Sequence, residues 1–230
     1  MMEDPNHNSE PDETKPQPGL SLALLDKALA LQAPITERYV SQLRRHRPDA
    51  SPDQIIRRLN ADFRATTITG GVGVGAAAAA PAVGTGVALA ISGGEAVVFL
   101  NATVLYILAR AEVHGITVED IERRRTLVMA IILGDLGAKG VGKVAERTGQ
   151  HWARQVVSSI PMSRIHAVNK VLGKNFVTKY GTKQGIVVLG KVVPFGIGAV
   201  IGGVANGLFS QGVITASHLA FGPPPASWES

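Results

Sequence analysis

The chain has no cysteine among its 230 residues. This excludes disulfides, thiolate catalysis and cysteine-ligated metals, and it leaves the redox compartment open. Aromatic side chains are scarce as well, at 5%, which argues against a large aromatic-lined ligand pocket. Large apolar residues are nearly missing from Met1 to Gly19, an acidic, proline-rich segment read as a disordered tail. That segment has neither the basic start nor the apolar run of a secretory signal, so export by the general route is not expected.

Charge is missing from two further places. Between Ala65 and Ala109 the only formal charge is Glu95. From Lys139 to Lys191 the only acid is Glu146, set among Lys139, Lys143, Arg147, Arg154, Arg164, Lys170, Lys174, Lys179, Lys183 and Lys191. The net charge of +5 is modest, so its distribution carries the information. Many of these bases recur near every fourth residue. A solvated helix face is the default reading of such bases; beside the apolar segments, Lys139, Lys143, Arg147, Arg154, Lys170 and Lys174 are the candidates for an anionic surface such as lipid headgroups. Nucleic acid is disfavoured, because Trp152, Phe176 and Tyr180 are too sparse for a stacking platform. His151 and His166 have no ligand partners at metal-binding spacing and are read as surface or packing residues. No acid–base pair or nucleophile arrangement stands out, so neither an enzyme nor a cofactor site is expected.

What the chain has is aliphatic and small. Hydrophobic residues make up 45% with 26 glycines, and mean hydropathy is +0.16. Such a composition suits closely packed helices. Ser21 is a candidate N-cap for a first short helix broken at Pro34, followed by a second from Thr36 to His46. Ser51-Pro52-Asp53 opens another helix, with Ile55, Ile56, Leu59 and Phe63 as its apolar face. Its Arg57, Arg58 and Arg64 precede the uncharged run and are candidate membrane flanks, as are Arg110 and Arg123 to Arg125 after it.

The uncharged run reads as a helical hairpin. One arm covers Thr66 to Ile91, the turn lies at Ser92 to Glu95, and the other arm covers Ala96 to His114. Gly71 and Gly75 would let backbones approach, and Glu95 at the turn would stay out of the hydrocarbon. A buried hairpin within a soluble bundle is the competing reading, since a wholly buried helix is also apolar all round. Two glycine patterns are decoys. Gly71 to Gly75 does not complete a dinucleotide turn, and Gly137 to Lys143 is followed by Val144 where a phosphate loop needs Ser or Thr. Gly115 should end the hairpin's second arm, and Thr117 to Asp120 should cap the next helix, with Asp135 a cap or ion-pair partner after it.

A second apolar stretch, Val192 to Phe221, contains Pro194, Gly198, Gly202, Gly203, Asn206 and Gly207. Its segment from Lys191 through Pro194 to Asn206 resembles the C-terminal signature of the bacterial EcsC-like proteins. The glycine/alanine-rich run with an internal proline (Gly70 to Gly86), the His114-Gly115 turn and the acidic-then-arginine helix leading to Leu133-Gly134 agree in order. The resemblance covers Ser51 to Phe221 and implies a helical, membrane-associated protein of unsettled biochemistry. It brings no catalytic residues.

The expectation is therefore an all-α helical bundle with glycine/alanine-rich apolar hairpins inserted in a membrane. It divides into a tail (1–19), short amphipathic helices (20–50), the EcsC-like domain (51–222) and a proline-rich end (223–230). The expected place is the bacterial cytoplasmic membrane, integral or peripheral, with cytoplasmic termini; the expected role is non-enzymatic and accessory to envelope or transport machinery, with membrane lipids and a membrane protein as partners. The alternative is a cytoplasmic helical domain holding a lipid or apolar ligand between its glycine-rich helices.

Overall fold

The computed structural model describes residues 21–68, 84–145, 151–180 and 201–228. Within them the chain is all-α, with no strand among the described residues. The helices are α1 (Leu22–His46), α2 (Pro52–Ile68), α3 (Gly84–Val113), α4 (Ile121–Leu133), α5 (Asp135–Ala145), α6 (Ala153–Ser158), α7 (Met162–Tyr180) and α8 (Ile201–Phe221).

Local signals set several boundaries. Ser21 Oγ accepts from the Leu24 amide at 3.2 Å and caps α1. Ser51 and Gln54 exchange reciprocal bonds of 3.3 and 2.8 Å, a capping box that opens α2. α3 gives way at Gly115, whose φ of 63° is left-handed. The cap of α4 is Asp120, not Thr117: its carboxylate accepts from the Glu122 and Arg123 amides at 2.9 and 3.0 Å.

Two expected breaks are not there. α1 runs through Pro34 as one helix of 25 residues. Pro34 and Ala30, whose carbonyl the proline leaves unpaired, both lie on the exposed side, where water can satisfy the backbone. The opposite side, Leu25, Leu29, Gln32, Thr36 and Val40, is buried and holds both halves in line. Likewise, Ser92 to Glu95 form no turn but lie inside the 30 residues of α3. Packing of α3 along α1 and α2 outweighs the intrinsic cost of its glycines, about 1 kcal/mol each. Any chain reversal between α2 and α3 falls on 69–83, outside the described residues. Among the described residues no helix is long and apolar enough to cross a membrane.

The centre of the bundle is α4. Thr126 to Leu133 are all buried, and the helix packs against α1, α3, α5, α6, α7 and α8. That second half is buried on every side and so carries no amphipathic stripe. Polar groups tie the first turn of α4 in place. Asn169 of α7 donates to the Glu122 carbonyl at 2.9 Å and carboxylate at 2.7 Å, and accepts from Thr126 at 2.7 Å. Arg125 bridges Asp26 of α1 at 2.8 Å and Glu122 at 2.7 Å. Arg123 donates to the Val156 carbonyl at 2.6 Å, and Arg124 to that of Val118. The Arg123 to Arg125 run thus joins elements of the bundle, a different use from the membrane flank expected of it. Gly137 lets α5 fold back on α4: a Cβ there would collide with the backbone of Ala130.

The two ends of the domain scheme are also joined to the bundle. α1 packs on α3, where Gln32 donates to Asn101 at 3.0 Å. Trp228 donates to the Ala50 carbonyl at 2.9 Å, and the Arg44 guanidinium sits 4.1 Å above its ring.

Candidate functional site

Of the bases expected to form an anionic surface, Lys139 and Lys143 lie exposed on α5, and Lys170 and Lys174 lie exposed on α7. Each pair is one helical turn apart, and α5 packs on α7, with Gly140 closing on the Leu172 side chain. Leu136 on α5 and Val171 and Val177 on α7 are exposed apolar neighbours. Arg154 stands apart from these lysines: it is on α6 and donates to the His114 carbonyl at 3.0 Å. Arg147 lies outside the described residues. Of the helix-packing candidates, Gly71, Gly75, Pro194 and Gly198 lie outside them too, so the pairing expected between the two glycine-rich stretches falls there. Gly202, Gly203, Asn206 and Gly207 belong to α8, which packs chiefly on α2 and also on α3, α4 and α6.

A second basic cluster lies where the end of α3, the start of α6 and the end of α8 meet. Arg110 is 2% exposed, the most deeply buried cation among the described residues. Its Nη1 donates to the Tyr106 hydroxyl at 3.1 Å, which donates on to Asn60 at 2.8 Å. Its Nη2 lies 3.4 Å from His218 Nδ1; because a guanidinium only donates, that imidazole nitrogen is the acceptor. Burial raises the Tyr106 hydroxyl pKa, and Arg110 opposes that rise.

One turn further along α3, His114 is 7% exposed and its ring stacks on Phe221 at 5.2 Å. Burial, followed by Arg110, Arg154, His151 and His218, pushes its pKa down to about 4. His151 closes the rim. Its φ of 70° is left-handed, its amide donates to the Leu219 carbonyl at 3.1 Å, and its ring fills the space a Cβ on Gly222 would need. His151, Arg154 and His218 are exposed, so the cluster runs from solvent to the buried Arg110. No carboxylate pairs with Arg110 or His114 among the described residues. Two buried polar atoms here lack any partner, Arg110 Nε and His114 Nε2, while the Ser217 hydroxyl lies by that of Tyr106.

Arg110, a candidate membrane flank in the sequence, and His151, a candidate surface or packing residue, both belong to this cluster. The available signal was Tyr106, Arg110 and His114, spaced by four along an apolar helix. No group of three or more metal-ligand side chains occurs among the described residues. In comparisons with known proteins, no family model, curated protein or solved structure matches the chain. The fold defines a class, an all-α bundle around a central buried helix, and the EcsC-like resemblance rests on the residues quoted for it.

Proposed function

We propose that this is a non-enzymatic, membrane-associated helical protein that docks on anionic lipid through the lysine-bearing faces of α5 and α7. The carrying observation is the exposure of Lys139, Lys143, Lys170 and Lys174 on two packed helices, beside exposed Leu136, Val171 and Val177. Lysines attract headgroups while apolar side chains enter the interface, and each base near an anionic surface contributes about 1 kcal/mol. The EcsC-like resemblance supports the same place, the inner face of a bacterial cytoplasmic membrane, with an accessory role to envelope or transport machinery.

Co-sedimentation with vesicles tests this. The full chain should pellet with phosphatidylglycerol-containing vesicles and much less with pure phosphatidylcholine, and raised salt should release it. Reversal of the four lysines to glutamate should abolish the pelleting. Equal binding to neutral and anionic vesicles, or undiminished binding by the reversed variant, would defeat the proposal. Resistance to both salt and carbonate would instead indicate integral insertion.

A further inference from the structure

Burying an arginine without a carboxylate is expensive, because the guanidinium gives up its hydration and gains only neutral acceptors. Arg110 is in that position. Its Nη groups reach a phenol and an imidazole, and its Nε reaches nothing. His114 Nε2 is in the same condition, at 7% exposure. Among the described residues, Arg154, His151 and His218 are the further basic groups acting on His114, with Arg64 acting on Tyr106 from α2. An anion would supply the charge and the acceptors that the described residues do not.

We infer that the Arg110, His114, Arg154 and His218 cluster, with His151 at its rim, binds a phosphate-bearing anion. The basic groups sit on separate elements, at the end of α3, on α6 and at the end of α8, a spread that suits the several acceptor oxygens of a tetrahedral phosphate better than a planar carboxylate. Guanidinium groups bind phosphate oxygens through paired donors. The exposed His151, Arg154 and His218 form the entry, and the buried Arg110 fixes the inner end. This site is separate from the lysine faces of α5 and α7. The ligand is inorganic phosphate or a phosphomonoester, either free or as a lipid headgroup.

The test is calorimetric titration of the full chain with inorganic phosphate at neutral pH, against a chloride reference of equal ionic strength. Saturable binding is expected, lost in Arg110→Met. Arg154→Gln and His218→Gln change exposed side chains, and circular dichroism checks that they fold; each should weaken binding about tenfold, the loss of one charge-assisted hydrogen bond. Reversal of Lys139, Lys143, Lys170 and Lys174 should leave phosphate affinity unchanged. Vesicles containing phosphatidic acid, added as competitor, assign the source: displacement of phosphate indicates a lipid headgroup, and undisturbed binding indicates the free anion. Absence of phosphate binding by the native chain, or affinity unchanged in both Arg154→Gln and His218→Gln, would overturn the inference.

Discussion

Acidification should destabilise this protein through His114. The ring is 7% exposed, stacked on Phe221 at 5.2 Å, and has Arg110, Arg154, His151 and His218 around it. Burial first, and those four groups after it, depress its pKa from 6.5 to about 4. Between these values the unfolded chain binds the proton and the folded chain does not, so stability rises with pH across that window. The contribution is fully present above pH 6.5 and is lost as the pH falls toward 4. From pH 7.5 to 5.0 the loss works out at about 2 kcal/mol. At a urea m-value of about 2 kcal/mol/M, the midpoint should fall by about 1 M. Acid also acts elsewhere in the chain, and that part is common to the native protein and a His114 variant. The assay is therefore urea denaturation of the native chain and His114→Gln at both pH values, without phosphate and at constant ionic strength. The native chain should lose about 2 kcal/mol more than the variant. Equal losses would refute the placement of a buried, neutral imidazole beside Arg110 and Arg154.

Other perturbations test the packing. Gly137→Ala should destabilise by about 2 kcal/mol despite alanine's higher helix propensity, because its Cβ meets the Ala130 backbone; stabilisation in a thermal melt would contradict that contact. Asn169→Ala should cost about 2 kcal/mol in urea denaturation, since it strips Glu122 and Thr126 of buried partners; a change within error would show that the α4–α7 network is not cohesive. Trp228→Ala should cost about 1 kcal/mol, from the Ala50 hydrogen bond and the Arg44 stack, and should increase amide exchange at the α1–α2 corner.

The legible parts of the fold were those decided within a few residues. The caps at Ser21 and Ser51, the end at Gly115 and the apolar face of Ile55, Ile56, Leu59 and Phe63 are local chemistry, and they stand where expected. Pro34 and Gly93-Gly94 are also local signals, yet they misled. Each lowers helix stability by an amount that tertiary packing can override, and α1 and α3 cover each other over much of their lengths. Thr117 yielded to Asp120 for a related reason. Both can cap, and the burial of Thr126 onward fixes which register α4 adopts. The arginines at 123 to 125 looked like a flank because a sequence shows charge but not the carbonyls and carboxylates that receive it.

The basic cluster was harder to see because its members lie far apart: Arg110 and His218 are separated by 108 positions. Yet each half has a local mark. Tyr106, Arg110 and His114 form a polar stripe along the end of a largely apolar helix and just past it, and Ser210, Ser217 and His218 interrupt the second apolar stretch. A polar side chain on an apolar helix must find a partner, face a cavity or stay unsatisfied. Two such helices in one chain can resolve this by turning their polar stripes toward each other. That reasoning leads to the α3–α8 contact, where Arg110 does meet His218. It also exposes what the pairing leaves unresolved. Both stripes supply donors and bases, and neither supplies an acid, so meeting each other cannot neutralise Arg110. The shortage of negative charge at the junction is thus a property of the two sequences together, and it is the physical ground for expecting an anion there.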